Sequence, residues 1–277
     1  MIAERLLTFR RIEQMIDGMQ HNVQIIPIPA FKDNYIWLIH NGQQALVVDP
    51  GDAIAVLETL KQLNLTLITI LITHHHHDHI DGVERLQKLY PYIKIYAPKL
   101  EQYDFNHTPV NELNTISVDN LNLKFSVISL PGHTLGHVAY YAEKPDGEHL
   151  LFCGDTLFGA GCGRIFEGTP AQMYKSLQKL ASLPPTTQVY CTHEYTLHNI
   201  NFALTLESKN PALRKRYQDT KKLRDSNLTS LPSSIALELA TNPFLRCHSA
   251  EIQSALPLKN ASIVDVFTMI RDLRNHY

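Results

Sequence analysis

Between Val23 and about Tyr195 the chain runs in short apolar or alternating stretches broken by turn residues, with helical periodicity at 53–64, 82–89 and 169–183. Strands and helices mixed in this way favour two sheets packed face to face with helices outside, although a single open sheet satisfies the same pattern. After Tyr195 the character changes. Phe202, Leu206, Leu213, Tyr217 and Leu223 recur among many Lys, Arg and Glu over 199–226, and 235–240 and 262–274 also read as helices. The pattern predicts an α+β unit over 20–195 and a small helical domain over 196–277. Residues 1–19 read as an N-terminal extension in which Leu6, Phe9, Ile12, Met15, Ile16 and Met19 share one helical face.

The apolar run 65–72 ends in Thr73-His74-His75-His76-His77-Asp78-His79. Most polyhistidine segments are tags or solvated tracts. This one is internal, contains Asp78, ends a strand, and is followed by Ile80-Asp81-Gly82-Val83 as though a helix were starting. Borderline-soft dications such as zinc take three or four His and carboxylate ligands each, so the cluster suits two neighbouring ions better than one. Positions i and i+2 of an extended turn share a side, which points His74 and His76 at one ion. As the turn tightens toward a helix, Asp78 and His79 face another. His75 and His77 then point elsewhere.

Two ions need more donors than this segment holds, and other strand ends supply them. The run 125–130 leads into Pro131-Gly132-His133-Thr134 with His137 beyond; 149–153 leads into Gly154-Asp155-Thr156; 188–191 leads into Thr192-His193-Glu194. Each candidate follows an apolar strand with Gly or Thr beside it, an arrangement that lets a loop carry a side chain to a shared site.

In this order the motifs His-x-His-x-Asp-His, Pro-Gly-His-Thr, Gly-Asp-Thr and Thr-His-Glu-Tyr resemble the metallo-β-lactamase superfamily. Within it the chain resembles glyoxalase II, the hydroxyacylglutathione hydrolases, from about residue 25 to the C-terminus. Ile28-Pro29-Ala30-Phe31-Lys32-Asp33-Asn34-Tyr35, Gly161-Cys162-Gly163-Arg164, His193-Glu194-Tyr195-Thr196 and Asn242-Pro243-Phe244-Leu245-Arg246 support the narrower resemblance. It implies a four-layer αβ/βα sandwich followed by a C-terminal helical domain. It also implies that His74, His76 and His133 hold one divalent ion, that Asp78, His79 and His193 hold a second, and that Asp155 bridges them. Asp78 and Asp155 are the carboxylates implied at the reaction centre, and Asp49 is the candidate that orients a ligating imidazole. Zinc is the expected metal, with iron and manganese suited to the same donors.

The implied reaction is hydrolysis of S-D-lactoylglutathione or a related 2-hydroxyacylglutathione, the second half of methylglyoxal detoxification. By the same resemblance Arg164, Phe166, Tyr195, Arg271 and Arg274 contact the glutathione moiety. Phe166 stands where relatives often have Tyr, which removes one hydroxyl contact, and Arg274 replaces a frequent Lys, which keeps the charge but changes the donor geometry. The rival activities of the superfamily fit less well. β-Lactamases generally lack the combination of Asp78, Asp155 and a helical tail, persulfide dioxygenases usually lose ligands for the second ion, and lactonases and nucleases lack the Arg164, Tyr195 and Arg271 set. A structural metal staple, the noncatalytic alternative, is usually closed by four ligands and often rich in Cys.

With 277 residues the chain is long enough to bury a substantial core. A formal charge of −2 gives no electrostatic footprint for nucleic acid. Cys153, Cys162, Cys191 and Cys247 show no C-x-x-C spacing and read as reduced thiols, and no apolar run approaches a membrane span. The expectation is a cytoplasmic monomer acting on a small molecule.

Overall fold

The structure, a computed structural model, describes residues 23–277, so the amphipathic face and the extension read over 1–19 lie outside the described residues. The first sheet has six strands in chain order: β1 (Gln24–Ala30), β2 (Asn34–His40), β3 (Gln44–Val48), β4 (Thr66–Leu71), β5 (Lys94–Pro98) and β6 (Thr108–Val110). β1, β2 and β3 are antiparallel, whereas β3 to β6 run parallel. Parallel neighbours need crossovers, and α1 (Ala53–Gln62), α2 (His77–Ile80) and α3 (Val83–Leu89) lie in them. The Asp52 carboxylate caps α1 by accepting from the amides of Ile54 and Ala55 at 2.8 and 3.3 Å, and Ala53, Val56 and Leu60 line its buried face.

All of β2 is buried, and its alternation serves two cores. Ile36 and Leu38 pack with Val56, Leu60, Val83 and Leu86 under the helices, while Tyr35, Trp37 and Ile39 join the cluster between the sheets. A strand covered on both faces reads as a continuous apolar run rather than an alternating one.

The second sheet has the order β14-β13-β10-β9-β8-β7, comprising β7 (Thr115–Val118), β8 (Leu123–Ser129), β9 (Val138–Glu143), β10 (His149–Gly154), β13 (Gln188–Cys191) and β14 (Ser233–Ser234). A small hairpin, β11 (Leu157–Phe158) and β12 (Gly161–Cys162), projects after β10. Phe125, Val127, Tyr140 and Phe152 meet Trp37 and Leu71 in the inter-sheet core. Outside lies α4 (Pro170–Ala181), opened by a Thr169/Gln172 capping box and buried through Met173, Leu177 and Leu180. Helices, sheet, sheet, helices: of the two arrangements the pattern allowed, the face-to-face pair is the one formed.

The C-terminal part comprises α5 (Thr196–Leu206), α6 (Pro211–Asp225), α7 (Ile235–Thr241), α8 (Ala250–Ala255) and α9 (Ile263–His276). The stretch 199–226, read as helical throughout, is two helices. Asn210 caps α6 through its side-chain oxygen and Pro211 occupies the first turn, where its missing N–H costs nothing. This part is helical but shares its core with the sandwich. β14 pairs with β13, and Phe244, Phe267 and Ile270 belong to the same apolar cluster as Phe152.

Candidate metal centre

The ends of β4, β10 and β13 and the loop from β8 to β9 deliver the predicted donors to one place. Gly154 ends β10 at φ +46°, and a Cβ there would come within 2.3 Å of Thr73 Oγ1, so only glycine allows this approach. The segment after β13 is held by the start of β2: the Tyr35 amide donates to the Thr192 carbonyl at 2.6 Å and the Glu194 amide to the Asp33 carbonyl at 2.9 Å.

Hydrogen bonds assign the tautomers of the imidazoles. The Thr73 hydroxyl donates to Asp49 Oδ2 at 2.7 Å, so it accepts from Nδ1 of His74, 3.0 Å away, and leaves the His74 Nε2 lone pair free. His133 Nδ1 donates to the Arg164 carbonyl at 2.7 Å, His79 Nδ1 to Asp49 at 3.0 Å, and His193 Nδ1 to Asp33 at 2.8 Å. Each therefore aims Nε2 inward. His74 Nε2 and His133 Nε2 lie 3.1 and 3.0 Å from Nδ1 of His76.

Asp155 spans both groups of donors. Its Oδ2 is 3.3 Å from His193 Nε2 and 3.5 Å from His133 Nε2, while Oδ1 is 3.5 Å from His79 Nε2. Asp78 Oδ2 sits 3.5 Å from both His79 and His193 and accepts from Asn34 Nδ2 at 2.8 Å. Among the described residues three overlapping sets are close enough to hold an ion: His74, His76 and His133; His74, His79 and Asp155; Asp78, His79 and His193.

The electrostatics suit cations. Burial, reinforced by neighbouring histidines, pushes His74 far below the ordinary imidazole value and brings His76 to about 4; burial also lowers His133. Those rings are neutral donors. His193 goes the other way: burial opposes its charge, but Asp155, Asp33 and Asp78 outweigh it and raise it to about 10. Burial is likewise outweighed at Asp155, where His193 and His79 keep the carboxylate ionised. His79 Nε2 and Asp155 Oδ1 are buried with no hydrogen-bond partner among the described residues. Neutral lone pairs facing each other near 3 Å, beside an orphaned carboxylate oxygen, make a donor set that fits divalent ions.

His75 and His77 turn away as the alternation requires, His75 toward Glu101 and Glu167 and His77 to Asp81 at the surface. His137 also stays outside the donor set, accepting from the Asp155 amide at 3.1 Å behind the carboxylate. Sequence reasoning passed over Asp33, Asn34 and Thr73 as site residues. Asp33 and Asn34 stand in the 28–35 motif of the resemblance and Thr73 beside the histidine run, but the bonds that bring them to the centre join positions distant in the chain.

Beside the centre a cleft of about 440 Å³ is lined by His133, Asp155, Arg164, Tyr195, Arg271 and Arg274, with Phe166 at its edge. Tyr195 stacks on His193 with centroids 4.8 Å apart, and Phe166 meets the rings of His76 and His133 edge-on at 5.4 and 5.3 Å. Arg271 is buried across the Phe244 ring and donates through Nη1 to the Cys162 carbonyl at 2.8 Å. Arg274 donates to Asn199 Oδ1 from Nε and Nη2 at 3.1 and 3.0 Å. The hairpin carrying Cys162 is clamped from below, since Asn242 Nδ2 donates to the Gly161 carbonyl at 2.8 Å and Glu238 accepts from the Ala160 amide at 2.8 Å. Arg216 pairs with Glu238 at 2.6 Å, so both charges of this buried clamp are matched.

Sheet order, layering and donor set define a metallo-β-lactamase-fold protein, and residues 31–193 match the family model described as metallo-beta-lactamase superfamily. Residues 194–277 match the model described as hydroxyacylglutathione hydrolase C-terminus. A hydroxyacylglutathione hydrolase of Methylobacillus flagellatus is 55% identical over 254 residues, covering 92% of this chain and 99% of that protein. One of Nitrosomonas eutropha is 49% identical over 261 residues, again with 92% and 99% covered. The chain belongs to the hydroxyacylglutathione hydrolase family. Among solved structures, ETHE1 from Myxococcus xanthus shares the fold at a TM-score of 0.60 and 23% identity, covering 91% of this chain and 98% of that one.

Proposed function

We propose that this chain hydrolyses the thioester of S-(2-hydroxyacyl)glutathione, S-D-lactoylglutathione above all, to glutathione and a 2-hydroxy acid such as D-lactate. That is the second step of methylglyoxal detoxification. The observation that carries the reading is the placement of Asp155 between two groups of inward-facing imidazoles, at the end of a cleft bearing Arg164, Arg271 and Arg274.

In this reading His74, His76 and His133 hold one divalent ion, Asp78, His79 and His193 hold the other, and Asp155 serves both. When bound, the two ions supply an acidified water and a polarised thioester carbonyl. The protein's own groups set the geometry. Asp49, Asp33 and the Arg164 carbonyl fix the imidazole tautomers, and Asn34 holds Asp78. The arginines of the cleft offer charge-assisted donors to the carboxylates of glutathione, and Tyr195 offers a phenol. The departing group is a thiolate whose conjugate acid has a pKa of about 8.5, so a positioned general acid is not required. Imidazole and carboxylate donors suit zinc, and iron or manganese in its place. Four buried, unpaired cysteines fit a reducing compartment such as the cytoplasm.

The test is a substrate panel: S-D-lactoylglutathione followed by thioester absorbance, beside a lactone, a β-lactam and glutathione persulfide. Turnover of the glutathione thioester above the rest is expected. Inactivity on it with robust turnover of a lactone or the persulfide would overturn the assignment.

A further inference from the structure

The three-histidine set draws its members from both sheets: His74 and His76 follow β4 in the first, and His133 lies between β8 and β9 in the second. The nitrogens meet only if those loops hold a fixed spacing. A carboxylate outside the donor set ties them together. Glu101, in the segment after β5, has a side chain only 2% exposed. Its Oε1 accepts from the hydroxyl of Thr134, the residue after His133, and its Oε2 lies 3.2 Å from Nδ1 of His75, the residue between the two ligands. Tyr103 donates to the same Oε2 at 2.9 Å.

The loop after His133 packs directly on the Glu101 side chain. A Cβ at Gly136 would come within 2.3 Å of Glu101 Cγ, so the loop after His133 lies flat against the Glu101 stem. His75 carries the tie further, since its Nε2 lies 3.3 Å from Glu167 Oε1, and Glu167 Oε2 accepts from the Leu135 amide at 2.8 Å. Thr134 is fully buried, so its hydroxyl has no water to turn to.

We propose that Glu101 is a positioning residue that fixes the spacing between His133 and the His74–His76 segment, and with it the affinity of the three-histidine site for a divalent ion. It acts through Thr134 and His75 and touches neither ion nor substrate. This inference rests on the two-ion reading above. It goes further in assigning to one carboxylate a selective effect on one of the two sites.

The test is titration of metal-free protein with Co²⁺, following binding by its absorption bands and by competition with a chromophoric chelator; loss of one step in His133→Ala marks the three-histidine site. Thr134→Val, which keeps the shape and removes the donor, and Glu101→Ala should weaken that step by roughly 10–100-fold and leave the other unchanged. Thr134→Ser should restore it. Should Glu101→Ala fail to fold, the Thr134 pair decides. Unchanged affinity in Thr134→Val, or equal weakening of both steps, would overturn the inference. Wild-type protein that binds fewer than two ions would instead contradict the two-ion reading beneath it.

Discussion

Oδ1 of Asp33 lies 2.8 Å from Nδ1 of His193, joining the turn before β2 to the loop after β13. The bond leaves His193 Nε2 free to face Asp155 and sets the imidazole plane against which Tyr195 stacks. Asp33→Ala should weaken ion binding at the Asp78, His79 and His193 set by roughly 10–100-fold, the usual cost of removing a carboxylate behind a ligating imidazole. Equilibrium titration with Zn²⁺ measures it, and affinity equal to wild type would remove Asp33 from the account.

Asp155 is the group whose loss touches both sets of donors. Asp155→Ala should lower thioester turnover on the order of 100-fold or more and strip ions from the protein. Elemental analysis beside circular dichroism separates ion loss from unfolding. Full turnover in a folded variant would refute the bridging role.

Phe166 is 60% exposed at the mouth of the cleft, where its ring leans on His76 and His133. Phe166→Tyr adds a hydroxyl without disturbing those contacts. One new neutral hydrogen bond is worth about 0.5–1.5 kcal/mol, so KM for the glutathione thioester should fall several-fold with kcat unchanged. Steady-state kinetics test this, and a change in kcat alone would place the ring at the reacting carbonyl instead.

Glu207 ties α5 to the C-terminal helices. Burial alone would raise its pKa, but hydrogen bonds from Arg246, Asn210 and Ser249 outweigh it and hold the carboxylate at about 2, below its ordinary 4.5. A depressed value in the folded state contributes stability above about pH 4.5 that disappears as pH falls toward 2. The stability gap between wild type and Glu207→Gln in urea unfolding of metal-free protein should therefore hold constant from pH 6 to about pH 5 and then narrow as the pH falls through 4 to 3. A gap independent of pH would mean that packing, not charge, makes the contribution.

The centre was legible in the chain because its donors are dense and each follows an apolar strand. His74, His76, His133, Asp155 and His193 converge because loops at strand ends carry polar groups that the strands themselves cannot bury. Of the groups that hold them, Asp49 was legible as the carboxylate behind an imidazole and does accept from His79 Nδ1, whereas Asp33, Asn34 and Glu101 were not legible. Asp33 and His193 are 160 positions apart, and Glu101 reads as an ordinary surface acid until the β5 connection folds against the loop after His133. The break between α5 and α6 was visible in Asn210-Pro211 yet hidden by the apolar spacing that continues on both sides. α8, six residues long, offers too few turns for a periodicity to register. Arg271 shows the other limit: the resemblance set it against the glutathione moiety, but nothing in its spacing foretold that the folded chain buries it over Phe244 with one arm already bonded to Cys162.

The central claim is that two ions held side by side perform the thioester cleavage. Metal-free protein titrated with Zn²⁺, with ion uptake and S-D-lactoylglutathione turnover measured on the same samples, tests it most directly. The account predicts negligible turnover without metal and full turnover at two ions per chain. Full thioesterase activity in chelated protein, or saturation of uptake and activity at a single ion, would contradict it.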